Sequence, residues 1–168
     1  MNTNHEPAAA QPVAFSSVAD LQQARGERIG ASGWLTVTQA MIDDFAALTN
    51  DRQWIHVDPE RARRESPLGT TIAHGFLTLS LLSSMIEQCV SFPTARAGYN
   101  YGFDRIRFAA PVPVNAQIRG VFAIENVRPI EGGADVTWRV SVEVRDAPKP
   151  ALIATWLTRT LFRAAAPG

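Results

Sequence analysis

The run HGFLTLSLLSSMIEQCV, residues 74–90, decides the architecture. Apolar residues occupy nearly every face of its first half, and a helix that is apolar all round is buried inside a larger structure, not laid on its surface. The character of the chain changes after it. Residues 96–109, 115–128, 134–145 and 151–163 are four extended segments. The third is the clearest: Val136, Trp138, Val140, Val142 and Val144 alternate with Thr137, Arg139, Ser141, Glu143 and Arg145, the period of a half-buried strand. Turn signals separate the segments at Pro111 and Pro113, at Glu131-Gly132-Gly133, and at Ala147-Pro148-Lys149-Pro150. Connections this short favour antiparallel pairing.

Upstream of the central helix the elements are shorter. Residues 17–25 read as a short helix, with Ser17 as N-cap and Gly26 near its end. A short strand is expected at 34–37. Thr38 caps a helix over 39–48, in which Met41, Ile42, Phe45 and Leu48 recur at the helical period. Thr49-Asn50 favour a turn, so 51–57 is expected as a loop between two helices. Asp58-Pro59 then opens another short helix. One central buried helix followed by four long strands is satisfied by a twisted antiparallel sheet wrapped around that helix. This is the hotdog arrangement, an α+β fold. A single hotdog domain is expected over 16–163, with flexible tails at 1–15, where His5 is expected to be inert, and at 164–168.

The chain has 168 residues, 46% of them hydrophobic and 19% charged, which suits one domain with an ordinary core. Sixteen basic residues balance sixteen acidic ones, which argues against nucleic acid as the main partner. No run reaches roughly 18 uninterrupted apolar residues, so no membrane span is expected. The N-terminus has no basic segment followed by an apolar one, and the single cysteine, Cys89, reads as a buried free thiol. A cytoplasmic protein is expected.

The chemistry concentrates in residues 50–84. Asp51 and His56 stand five residues apart in a polar segment that also holds Gln53 and Trp54, and His74-Gly75 opens the central helix. An acid, an imidazole and a glycine amide can hold a water and polarise a carbonyl. The residues taken alone also allow a bland reading, in which Asp51 caps a turn and His56 is a satisfied surface histidine. No metal is expected: His56 and His74 lie apart without a recognisable ligand spacing, and one cysteine cannot build a zinc cluster. Neither a dinucleotide or phosphate-loop glycine pattern nor a Gly-x-Ser-x-Gly nucleophile motif is present.

FAALTNDRQWIHVDPERA followed by GTTIAHGFLTLSLLSSM resembles the MaoC-like dehydratases, the (R)-specific enoyl-CoA hydratase family. DRQWIHVDPERA and NYGFDRIRFAAPVPV resemble its NodN-like branch in particular. The resemblance covers roughly residues 34–162. It implies that the family's acid and histidine fall on Asp51 and His56, its oxyanion-hole glycine on Gly75, and a serine supporting the acid on Ser83. Many relatives carry Asn-Pro where this chain has Gln53-Trp54, which implies a reshaped pocket wall. Gln53, Trp54 and His74 are then expected near the substrate. Arg105 and Arg107, with Arg61, Arg63 and Arg64, are candidates to meet its phosphates.

The resemblance further implies the reaction: water added to trans-2-enoyl-CoA to give (R)-3-hydroxyacyl-CoA, a hydro-lyase step of fatty acid metabolism. No cofactor is expected, since coenzyme A is part of the substrate. A homodimer is expected, because a single hotdog sheet leaves an open edge and an apolar face uncovered. A hotdog acyl-CoA thioesterase and a non-catalytic acyl-CoA-binding or scaffold subunit are the competing readings.

Overall fold

The computed structural model describes residues 11–163. The sequence-based tails lie outside that range, except for their inner end. There Val13–Ala14 (β1) pairs in parallel with Val90–Ser91 (β4), and Phe15 is buried, so the tail does not extend to Phe15. Ser17 caps α1 (Val18–Gln23) in a full capping box with Asp20. Next come β2 (Arg28–Ala31) and β3 (Leu35–Thr36), both antiparallel to β6 (Gln117–Ile130). Helix α2 (Gln39–Thr49) starts at Thr38, whose hydroxyl accepts from the Met41 amide, and stops at Asn50, which is left-handed at φ 57°.

The segment expected as a loop contains a short helix, α3 (Trp54–Val57), followed by α4 (Pro59–Glu65) with Asp58 as its N-cap. A four-residue helix has no period to read, so sequence pattern missed it. The central helix comes in two pieces, α5 (Gly75–Ser80) and α6 (Leu82–Ile86). Leu81 between them keeps right-handed helical angles, and its amide still donates to Leu77 O at 3.1 Å. This helix is buried on one side only. Leu77, Thr78, Leu82 and Met85 face the core, whereas Phe76, Ser80, Ser83 and Ser84 are exposed. The apolar-all-round reading thus meets a helix with one uncovered face.

The four long strands are β5 (Ala95–Phe108), β6 (Gln117–Ile130), β7 (Gly133–Val144) and β8 (Leu152–Phe162), in the order β2-β6-β7-β8-β5 with antiparallel neighbours. This is a single hotdog fold, with the sheet's concave face on the central helix. The expected alternation holds along β7: Val136, Trp138, Val140 and Val142 are buried and meet Leu82, Met85, Phe122 and Leu152 in one core. Gly133 starts β7 against the opposite strand so closely that an added Cβ would lie 2.0 Å from the Thr160 carbonyl oxygen. Trp138 satisfies its buried indole N–H on Thr158 Oγ1 at 2.8 Å. Outward-facing Asp135 is held by Arg128 and Arg159, the latter at 2.6 Å. Cys89 is buried and free, and burial pushes its thiol pKa up. β5 pairs only with β8, leaving its other edge open among the described residues. No described helix is long and apolar enough to cross a membrane.

Candidate functional site

Two connections fix the site. The first ties α3 to the segment before the central helix: the Ile72 amide donates to Ile55 O at 3.0 Å, and His56 Nδ1 lies 2.7 Å from Ile72 O. A carbonyl only accepts, so Nδ1 carries the proton and Nε2 keeps its lone pair. The second runs through Gln39 at the start of α2. Its amide donates to His56 O at 2.7 Å, and its Oε1 accepts from the Thr71 hydroxyl at 2.6 Å. Gln39 thus clasps the histidine's backbone to the strand-like approach at residue 71. Sequence reasoning missed it, because nothing in a helix-opening glutamine marks a partner 17 residues away.

His56 is buried and lines a cavity of about 320 Å3 together with Ile72, Gly75, Thr78 and Phe108. Burial pushes its pKa below the ordinary histidine value, and neighbouring His74 adds to this, while the Ile72 carbonyl and Asp51 pull the other way. Asp51 is exposed, and its carboxylate lies within 4.8 Å of ring nitrogens of both His56 and His74. The acid and imidazole read from the sequence therefore come together.

Gly75 occupies the first position of α5, where an N–H has no acceptor inside its own helix. An added Cβ would meet three atoms of the Phe108 ring at 3.0–3.1 Å, so glycine here also makes room for that ring.

The remaining candidates lie elsewhere. His56 and His74, expected apart, are stacked with ring centroids 3.8 Å apart and planes at 26°. His74 is 3% exposed and sits behind His56, not among the residues lining the cavity. Trp54 is not in the cavity wall either: its ring lies under the Arg61 guanidinium at 4.5 Å, and Gln53 is exposed. Ser83 is exposed on α6 and lines a separate cavity of about 320 Å3, with Ile86, Asn100, Trp138 and Trp156. Within one chain Ser83 does not join Asp51 and His56. Arg105 and Arg107 are exposed on edge strand β5, and Arg61 and Arg63 are already paired with Glu65 and Glu60.

Asp51, His56 and His74 are near enough to suggest a metal. Each ring gives one N–H to a backbone carbonyl and keeps the lone pair on its other nitrogen, Nε2 of His56 and Nδ1 of His74.

A family model described as "MaoC like domain" matches residues 20–145. The chain is 44% identical over 146 residues to the 3-hydroxyacyl-thioester dehydratase Z of Mycobacterium tuberculosis, covering 86% of this chain and 96% of that one. It is 46% identical over 151 residues to Nodulation protein N of Rhizobium leguminosarum bv. viciae, covering 87% and 92%. The fold is shared with the R-hydratase PhaJ1 of Pseudomonas aeruginosa at a TM-score of 0.64 and 20% identity, over 90% of this chain and 94% of that chain.

Proposed function

The chain belongs to the MaoC-like family, and we propose from that premise that it is a hydro-lyase of coenzyme A thioesters. It adds water to trans-2-enoyl-CoA and forms (R)-3-hydroxyacyl-CoA, or runs the reverse dehydration. The observation that carries this reading is the Asp51 carboxylate within 4.8 Å of the His56 ring, beside a cavity that also presents Gly75. The relatives named as a thioester dehydratase and, at 33% identity over 78 residues, a 3-hydroxybutyryl-CoA dehydratase support the same class.

The thioester carbonyl draws electrons from the conjugated double bond, so C3 accepts the water oxygen. His56 Nε2, with its proton-bearing Nδ1 tied to Ile72, takes the water proton, and Asp51 orients the water. A proton is returned to C2, so water's atoms are all accounted for across the double bond. The Gly75 N–H stabilises the enolate-like oxygen, a contribution of about 2.7–4 kcal/mol for one such donor. One acid–histidine pair presents water to one face of the flat enoyl group, which is the physical basis for a single enantiomer. The electronic activation resides in the thioester, so the step needs neither metal nor redox cofactor.

The working unit in this reading is a homodimer. The open edge of β5 and the exposed helix face carrying Phe76 and Ser83 both need cover. Antiparallel pairing of two β5 edges runs the Ala95 end of one copy beside the Phe108 end of the other, which puts the Ser83 cavity, with Tyr99 and Asn100 of β5 in its wall, at the proposed interface.

The test is hydration of crotonyl-CoA and longer enoyl-CoAs. The product is offered separately to (R)- and (S)-specific 3-hydroxyacyl-CoA dehydrogenases or reductases. A signal only with the (S)-specific enzyme overturns the stereochemistry. Free coenzyme A without a hydroxyacyl product reassigns the chain as a thioesterase. Calorimetric acyl-CoA binding without turnover marks it as a binding subunit.

A further inference from the structure

We propose that His74 is a positioning residue that holds both members of the Asp51–His56 pair at once; this rests on the dyad reading above. His74 Nε2 lies 3.0 Å from the main-chain oxygen of Asp51, 23 residues earlier in the chain. The carbonyl can only accept, so the ring carries its proton on Nε2. The same ring stacks on His56 at 3.8 Å and meets Phe45 at 5.1 Å. His74 thus fixes the backbone from which the acid projects and the plane of the imidazole beside it.

The other nitrogen supports this. His74 Nδ1 is the one buried side-chain nitrogen or oxygen without a hydrogen-bond partner among the described residues. A histidine kept only to fill the core would leave no acceptor stranded, since an apolar ring of like size packs there without that penalty. The position instead uses what only an imidazole combines: a flat face for stacking and an N–H at the far edge. Backbone position explains how one ring reaches both. His74 is the N-cap of α5 but makes no capping hydrogen bond with its side chain, so the ring is free to turn away from the helix and toward Asp51.

The experiment compares His74→Phe with His74→Gln in the full-length protein. Phenylalanine keeps the stacked ring and loses the N–H; glutamine can place an amide N–H near Asp51 O without the ring. Misplacing a reacting group by about 1 Å can lower turnover about 10²-fold. With crotonyl-CoA, His74→Phe is expected to lower kcat by about that factor with KM within about threefold, because His74 does not line the cavity, and His74→Gln is expected to recover at least about tenfold of the loss. Unchanged kcat in folded His74→Phe, or equal losses in both variants, overturns the proposal. Nitrogen-15 NMR of the wild-type protein provides a readout independent of turnover and of variant folding: His74 should show the Nε2–H tautomer, and the Nδ1–H tautomer overturns the proposal. If wild-type protein does not hydrate enoyl-CoA, the functional reading fails while the tautomer still decides whether His74 anchors Asp51.

Discussion

Gly75→Ala separates the two reasons for a glycine at the head of α5. The new Cβ would lie 3.0 Å from Phe108 Cδ1 and 3.1 Å from Cε1 and Cγ. Comfortable carbon contacts begin near ~3.5 Å, so the ring must retreat by roughly half an ångström. It can do so, because Phe108 is 47% exposed and its chief aromatic neighbour, Phe76, is 66% exposed. Alanine also recovers up to about 1 kcal/mol of helix propensity over glycine. The two terms offset, so stability should change by no more than about 1 kcal/mol, roughly 2–4 °C in Tm for a chain of this size. Activity should not escape so lightly. The methyl group and the displaced ring both intrude on the cavity that His56 lines, and the Gly75 N–H loses access to the thioester oxygen. Loss of one such donor corresponds to about 10²–10³ in kcat. Thermal melting and crotonyl-CoA kinetics on the same preparation provide the assay. The double variant Gly75→Ala/Phe108→Ala should recover part of the loss if the ring is the obstacle. A stable Gly75→Ala enzyme with near-native kcat would remove Gly75 from the reacting centre.

Asp51→Asn and His56→Ala should each fold normally and lose most activity, and the double variant should be little worse than either single one, since both act on one water; additive losses would separate their roles. The acidic limb of kcat/KM should lie below the ordinary histidine value of 6.5, because burial lowers the His56 pKa and its base form persists into more acid solution. The same shift gives the sign for stability: the unfolded chain takes up a proton that folded His56 resists, so stability should fall as pH drops below that value, as urea melts at several pH values would show. Trp138→Ala should cost about 3–5 kcal/mol, since the indole is fully buried and hydrogen-bonded, and chemical denaturation measures it directly. Sedimentation equilibrium should show a dimer, and Phe76→Asp, a change on an exposed helix face, should give folded monomer; an active wild-type monomer at micromolar concentration would refute the proposed assembly.

The fold was legible wherever a period runs long enough to detect. The alternation from Val136 to Val142 predicts β7, and the caps at Ser17, Thr38 and Asp58 place three helix starts. What was not legible depends on contacts across the fold. The two-residue β1 and four-residue β2 exist through their partners β4 and β6, and α3 is too short to carry a period. The exposed half of the central helix reads as buried because Phe76, Ser80, Ser83 and Ser84 are apolar or small and none carries a charge that would mark a solvent face. At the site, Asp51, His56 and Gly75 stood out by type and order. The stacking of His56 on His74 did not, because residues 18 positions apart meet only after the Ile72 and Gln39 hydrogen bonds fold the segment back. Trp54 looked like a pocket wall until α4 placed Arg61 over its ring.

The most direct test of the account is the fate of crotonyl-CoA with wild-type protein beside Asp51→Asn and His56→Ala, following enoyl absorbance, free thiol and hydroxyacyl product together. The account predicts that wild type converts the enoyl thioester to (R)-3-hydroxybutyryl-CoA with no thiol released, and that both folded variants lose nearly all of this turnover. Thiol release in place of the hydroxyacyl product, or full hydration by either variant, would contradict it.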